Sequence, residues 1–414
     1  MSGTPTFAIV GAGLAGATAA GALRAEGFDG RVVLLGAEPH QPYQRPPLSK
    51  DYLQDHVDRE KVFVHPPQWY AEHEVELRLA TTVTALDRKA HELALDNGNR
   101  LRYDQLLLTT GAIPRRLTVP GSDLDGLHYL RSLPDSDRIK ASLTVGGRVV
   151  IIGAGWIGLE TAAAARATGA EVTVLERGEL PLLDLLGPQV ARVFADLHRD
   201  HGVDLRCKTT VTGIRPDGST AGAVQLADGT ELTAEVIIVG IGVTPNVELA
   251  QSGGLTVDNG ILVDQHLRTS DPAITAAGDV ANAYHPLLNR HIRVEHWANA
   301  LHQPATAAAT MLGRSATHDR LPYFYTDQYD LGMEYTGYTD PHGYDQVVIR
   351  GDLAARKFIA FWLSKRRVLA AMNVNIWDVT EPIKQLIHSG KRIDTTRLAD
   401  PTVPLDALAQ GGQT

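Results

Sequence analysis

Short apolar runs recur along this chain, each leading into glycines and then into small residues at helical spacing. Thr6–Val10 feeds Gly11-Ala-Gly-Leu-Ala-Gly16, alanine-rich sequence follows to about residue 25, and a second apolar run, Arg31–Leu35, closes near Glu38. The order then repeats. Arg148–Ile152 feeds Gly153-Ala-Gly-Trp-Ile-Gly158, residues 159–167 read as helix, and Glu171–Leu175 ends in Glu176. Five-residue apolar runs bounded by glycine turns predict buried strands. The chain therefore carries two copies of a strand, turn, helix, strand, acid unit.

Other segments give the organisation. Residues 60–110 alternate polar and apolar stretches, while 103–111 and 234–242 each read as a buried strand running into a glycine turn. Such segments return a chain from one domain to another, so crossovers are expected near residues 115 and 243, with the second domain inserted in the first. Residues 274–279 read as a small-residue strand ending in Asp279. From about Pro322 the texture changes: 11 of the 24 aromatic residues fall in the last 93 positions, among strand-like runs at 346–350, 358–363 and 368–374. A mixed β/α domain is expected there, its aromatics mostly filling the core of a small antiparallel sheet. The basic clusters Arg356-Lys357 and Lys365-Arg-Arg367 fit a solvated hairpin or an acidic partner equally well. The expected division is 1–115 with 243–321, then 116–242, then 322–414, in an α/β chain.

The chemistry of the repeated unit follows from its glycines. A pyrophosphate must approach the backbone closely, where a Cβ would obstruct it, and free amides at a helix N-terminus supply a favourable field. An acid at the end of the second strand accepts hydrogen bonds from ribose hydroxyls and repels a 2′-phosphate. Glu176 lies 21 residues beyond Gly155, close to the ~20 expected of such an acid, and favours NADH over NADPH.

Composition narrows the class. At 414 residues, 43% hydrophobic and 21% charged, the chain suits a soluble protein of two or three domains. A net charge of −9 argues against nucleic acid as a partner. Residues 1–23 carry no charged side chain, yet they lack a basic n-region and contain the first glycine turn, so they read as buried strand and helix. No run reaches the ~18 apolar residues of a membrane span, and a soluble, cytoplasmic enzyme without a metal site is expected. The lone Cys207 excludes disulfide redox chemistry within the chain. Its setting, residues 203–207, reads as a buried strand and a packing role.

Three further segments carry a resemblance: Pro42-Tyr-Gln-Arg-Pro-Pro-Leu-Ser-Lys50, Val294-Glu-His-Trp-Ala-Asn-Ala-Leu-His-Gln303 and Asp327-Gln-Tyr329. With the glycine turns, they resemble the FAD-dependent NADH:ferredoxin reductases of bacterial oxygenase systems, the putidaredoxin, rubredoxin and arene-dioxygenase reductase group. The resemblance spans essentially the whole chain. It implies two Rossmann-like domains of glutathione-reductase type plus a C-terminal α+β domain, with FAD and NADH as cofactors and a [2Fe–2S] ferredoxin as transient partner. It assigns Gly11, Gly13, Ala15, Gly16, Glu38, Arg45, Lys50, Val83, Arg131, Asp279 and Trp297 to FAD. Gly153, Gly155, Ile157, Gly158, Glu160, Glu176 and Gly242 go to NADH. It pairs Lys50 with Glu160 at the reactive flavin edge, as the groups serving hydride transfer.

The chain departs from its relatives at three places. Ala37 stands where many have an acid. Asp184 stands where an arginine often grips the nicotinamide nucleotide, with Arg177 as a nearby cation. Tyr323 and Tyr325 replace tryptophans at the start of the third domain. Two other uses of the same cofactors remain open at this point: reduction of a small acceptor such as quinone, oxygen or monodehydroascorbate, and a redox effector of the apoptosis-inducing-factor kind.

Overall fold

The computed structural model describes residues 4–410. The first three residues of the uncharged N-terminal run, and the last four of the expected third domain, lie outside them. The chain forms two compact units. One comprises the chain up to Arg45 with Asp58–Ile113 and Val243–Arg320; the other comprises Pro46–Val57, Pro114–Gly242 and the chain from Leu321 onward.

The first unit is built on a five-stranded sheet in the order Ile274–Ala276, Gln105–Leu108, Thr6–Val10, Arg31–Leu35, Val75–Arg78. Every neighbouring pair is parallel. Sheets covered on both faces need apolar side chains in both directions, and Ile9, Val33, Leu34 and Leu107 are fully buried. The strand that bears the first glycine turn is central, so the turn opens at the carboxyl edge of the sheet, where ligands bind in open α/β folds. The Leu14–Ala25 helix packs against Trp297–Met311 through buried alanines on both, including Ala19, Ala20, Ala307 and Ala308.

The second unit repeats the scheme. Asp204–Arg206, Glu171–Leu175, Arg148–Ile152, Val236–Val239 and Leu127–His128 form a parallel sheet in that order, again with the glycine-bearing strand in the centre. The Leu183–Asp200 helix kinks where Gly187 adopts φ 75° ahead of Pro188. From Tyr323 a five-stranded antiparallel sheet follows, in the order Tyr323–Gln328, Leu331–Gly337, Arg367–Val374, Lys357–Ser364, Gln346–Asp352.

This C-terminal sheet falls in one unit with Pro114–Gly242 because a single hydrophobic core joins them. Leu331, Met333, Tyr335, Phe358 and Trp362 pack with Leu186, Val190 and Phe194 of the kinked helix. The Trp362 indole N–H also donates to the Leu186 carbonyl at 3.3 Å. Tyr335, Phe358 and Trp362 lie in this core with Phe324, Tyr329 and Tyr344 packed against it, Phe361 lies in a separate core, and Trp377 stays 53% exposed.

One local expectation changes and another is narrowed. The strand expected to include Cys207 stops at Arg206, leaving Cys207 half-buried just beyond it, where burial pushes the thiol up and away from reactivity. The basic clusters fall at two hairpin turns, where Arg356, Lys365 and Arg366 take positive φ and Arg356 pairs with Asp200.

Candidate nucleotide-binding and redox site

The two glycine turns match atom for atom in their logic. Gly11 and Gly153 take φ of 119° and 102°, and their N–H groups bond Leu35 and Leu175 carbonyls at 2.8 Å. A Cβ at either would meet the backbone oxygen of Thr109 at 2.2 Å or of Gly240 at 2.4 Å. A Cβ on Gly16 or Gly158 would meet the preceding turn's own carbonyl at 2.1 Å. The middle glycines differ: around Gly13 and Gly155 an added Cβ meets nothing within 4 Å. Both are helix N-caps with no side-chain cap and no acid in the first turn. Each turn is thus an open cradle lined by backbone amides at the start of a 12-residue helix, which is what a pyrophosphate requires. Dinucleotides fit both places.

The acids are held differently. In the second unit Glu176 Oε2 accepts the Ala154 N–H at 3.0 Å, and Oε1 accepts the Gly178 N–H at 2.6 Å. In the first unit Glu38 accepts from the Tyr43 hydroxyl at 2.5 Å and from Arg45 at 3.3 Å. Arg45 also lies over the Tyr43 ring, 5.2 Å from its centroid.

Lys50 and Glu160 are 110 positions apart, yet Lys50 Nζ stands 3.4 Å from Glu160 Oε1, with side chains 10% and 6% exposed. Lys50 follows a 3₁₀ turn at Pro46–Ser49 that packs on the Trp156–Ala167 helix, which carries Glu160. The ammonium lies over the Tyr325 ring, 4.6 Å from its centroid, so one of the tyrosines that replace tryptophan supports Lys50 by a cation–π contact. Two residues absent from the sequence expectations complete the pair: the Ser49 and Thr326 hydroxyls donate to the two Glu160 oxygens. Ser49 was within reach of sequence reasoning as the neighbour of Lys50. Thr326 comes from a distant strand, and no local signal marks it.

The other expected residues are placed as follows. In the first unit, Gly278 beside Asp279 has its backbone fitted against Ala15, and its N–H donates to Gln303 at 2.8 Å. Trp297 opens the helix Trp297–Met311 and donates its indole N–H to Gln44 at 3.0 Å. Burial pushes the preceding His296 down to about 4, against the opposing influence of Asp279. Val83 begins the strand Val83–Asp87. In the second unit, Arg131 follows Leu127–His128 and its N–H reaches Asp135 at 3.2 Å. Ile157 is 45% exposed on the first turn of its helix. Gly242 follows Val236–Val239 with φ 100°. Asp184 is exposed at the start of the kinked helix. Tyr323 donates to Glu334 at 2.7 Å, and burial followed by that carboxylate raises its phenol. Asp327 sits on the exposed face of its strand, yet partial desolvation raises its carboxyl, with Lys50 opposing.

Among the described residues, no cluster of three or more His, Cys, Asp or Glu side chains is arranged to hold a metal, and no helix is long and apolar enough to cross a membrane.

Comparison with known proteins agrees with this geometry. Residues 5–304 match the pyridine nucleotide-disulphide oxidoreductase family and 323–409 match the reductase C-terminal family. The chain is 38% identical to putidaredoxin reductase of Pseudomonas putida over 99% of this chain and 97% of the relative. It is 42% identical to the ferredoxin–NAD⁺ reductase component of the anthranilate 1,2-dioxygenase system of Burkholderia cepacia, over 98% and 99%. The reductase in the crystal structure of a covalent putidaredoxin reductase–putidaredoxin complex superposes with TM-score 0.94 at 38% identity, over 98% of each chain. The chain belongs to the pyridine nucleotide-disulphide oxidoreductase family, in its branch of ferredoxin reductases of oxygenase systems.

Proposed function

We propose that this protein takes electrons from NADH and delivers them singly to a [2Fe–2S] ferredoxin that serves an oxygenase. The duplication carries the reading: two open pyrophosphate cradles, one in each unit, in a chain with a single thiol. Two dinucleotide sites in a chain without a disulfide leave an external one-electron carrier as the outlet. The relatives at 38% and 42% identity are named for that outlet.

In this reading the first cradle, with Gly11, Gly13, Ala15, Gly16, Glu38, Arg45, Val83 and Asp279, holds FAD, with Arg131 and Trp297 as further contacts. The second, with Gly153, Gly155, Ile157, Gly158, Glu176 and Gly242, holds NADH. Bound FAD supplies the conversion between a two-electron donor and a one-electron acceptor. Lys50 brings a fixed positive charge to the site of reduction; Glu160 and Tyr325 hold its ammonium in one place, and the Ser49 hydroxyl donates to Glu160. Glu176 selects NADH by accepting ribose hydroxyls where a 2′-phosphate would be repelled. A cytoplasmic location belongs to the same reading.

The test is NADH oxidation by the purified holoenzyme with and without a [2Fe–2S] ferredoxin. A rapid, saturable increase on adding ferredoxin supports the reading. A rate that responds only to quinone or oxygen assigns the protein to small-acceptor reductases. A slow reaction with a persistent charge-transfer complex points to a redox effector.

A further inference from the structure

A continuous file of buried polar groups ends on Glu160. The Tyr329 hydroxyl lies 3.4 Å from His198 Nδ1, His198 Nε2 lies 2.9 Å from Gln328 Oε1, and Gln328 Nε2 lies 3.4 Å from Thr326 Oγ1. The Thr326 hydroxyl then donates to Glu160. Thr326 and Gln328 alternate on the strand Tyr323–Gln328 and so share its inward face. Both are 1% exposed and His198 is wholly buried.

The file has one self-consistent polarity. Burial pushes His198 down to about 4, so its ring is neutral at working pH, with one nitrogen donating and the other accepting. The Gln328 amide nitrogen faces Thr326, which leaves its oxygen toward His198. Nε2 of His198 therefore carries the proton, and Nδ1 accepts from Tyr329. Every donor in the file then points toward the Glu160 carboxylate. Three polar side chains in a core that includes Phe194 and Leu331 cost more than aliphatic ones unless their bonds serve something.

We propose that His198 and Gln328 are positioning residues for the Lys50–Glu160 pair, acting through the Thr326 hydroxyl, which they aim at Glu160. The proposal rests on the reading that this pair serves flavin reduction. Losing the hydroxyl frees Glu160 to turn from Lys50, slowing the chemical step without touching the NADH cradle.

Two measurements on the holoenzyme test it. Nitrogen-15 NMR of histidine-labelled protein, with His198→Leu to assign the signal, should show His198 as the Nε2–H tautomer, and Gln328→Leu should mix the tautomers. Anaerobic flavin reduction by NADH should slow roughly tenfold in Thr326→Val, the effect of one hydrogen bond to a charged group, with KM for NADH unchanged. Thr326→Ser should restore the rate, and Gln328→Leu and His198→Leu should fall part way. An Nδ1–H tautomer in the unaltered protein, equal rates for Thr326→Val and Thr326→Ser, or unaltered rates in both Gln328→Leu and His198→Leu would overturn the proposal. If Lys50→Ala leaves reduction unslowed, the role of the ion pair falls instead, while the tautomer still judges the chain.

Discussion

Glu176 reaches back to the glycine turn of its own unit, and its Oε2 accepts the Ala154 N–H at 3.0 Å. At the matching place in the first unit stands Gly36, where a Cβ would come within 2.6 Å of the Ala12 Cβ. No acid fits there. The first unit instead presents Glu38, two residues on, steadied by Tyr43 and Arg45.

The second acid is fastened to its cradle, and in the proposed function it also reads the adenosine ribose. Glu176→Ala should lower the preference for NADH over NADPH by about tenfold, the worth of one or two hydrogen bonds to a charged group. Steady-state kcat/KM for the two nucleotides checks it. An unchanged ratio removes Glu176 from ribose recognition.

The glycines of each turn should separate into two kinds of variant. Gly155→Ala places its methyl in the open cradle and should raise KM for NADH with Tm unchanged, while Gly13→Ala should lose FAD on dialysis. Gly153→Ala, at φ 102° and 2.4 Å from the Gly240 oxygen, should destabilise the fold by about 2 kcal/mol or more. Equal thermal stability of the Gly153 and Gly155 variants contradicts the assignment.

Lys50→Ala removes one partner of a buried ion pair and leaves Glu160 with only its hydroxyl donors. The fold should lose about 3 kcal/mol, and flavin reduction by NADH should slow roughly 10²-fold. Combining Lys50→Met with Glu160→Gln should recover most of the stability and little of the rate. Chemical denaturation and anaerobic reduction kinetics on the same samples separate the two effects.

Buried neutral histidines make stability depend on pH. Burial lowers His198 and His318 from 6.5 to about 4. Between those values the unfolded chain binds protons that the folded chain refuses, so stability is complete above pH 6.5 and declines as pH falls toward 4. The span corresponds to on the order of 3 kcal/mol for each histidine. His198→Gln should flatten the fall between pH 6.5 and 4.5, read from urea midpoints; an unchanged slope shows that His198 does not contribute.

Much of the frame was legible because its signals are local. Apolar runs such as Arg148–Ile152, the glycine spacing and the acids lie within single repeats, and each strand forms where the pattern places it. The Lys50–Glu160 contact is different: nothing in their separate surroundings links them, and only the resemblance carried by the Arg-Pro-Pro-Leu-Ser-Lys segment joined them. Thr326, Gln328 and His198 were illegible for the same reason, since their partners lie up to 166 positions away. The placing of Pro46–Val57 and the C-terminal sheet in the second unit was also hidden. It depends on a core shared by Phe194 with Tyr335 and Trp362, and side-chain pattern alone does not say which apolar faces meet.

The most direct test is anaerobic stopped-flow reduction of the flavin-loaded protein by NADH and by NADPH, followed by mixing the reduced protein with [2Fe–2S] ferredoxins and with quinone. The account predicts fast reduction by NADH, slower reduction by NADPH, and fast reoxidation by at least one ferredoxin. Fast reoxidation by quinone or oxygen with none by any ferredoxin would contradict it.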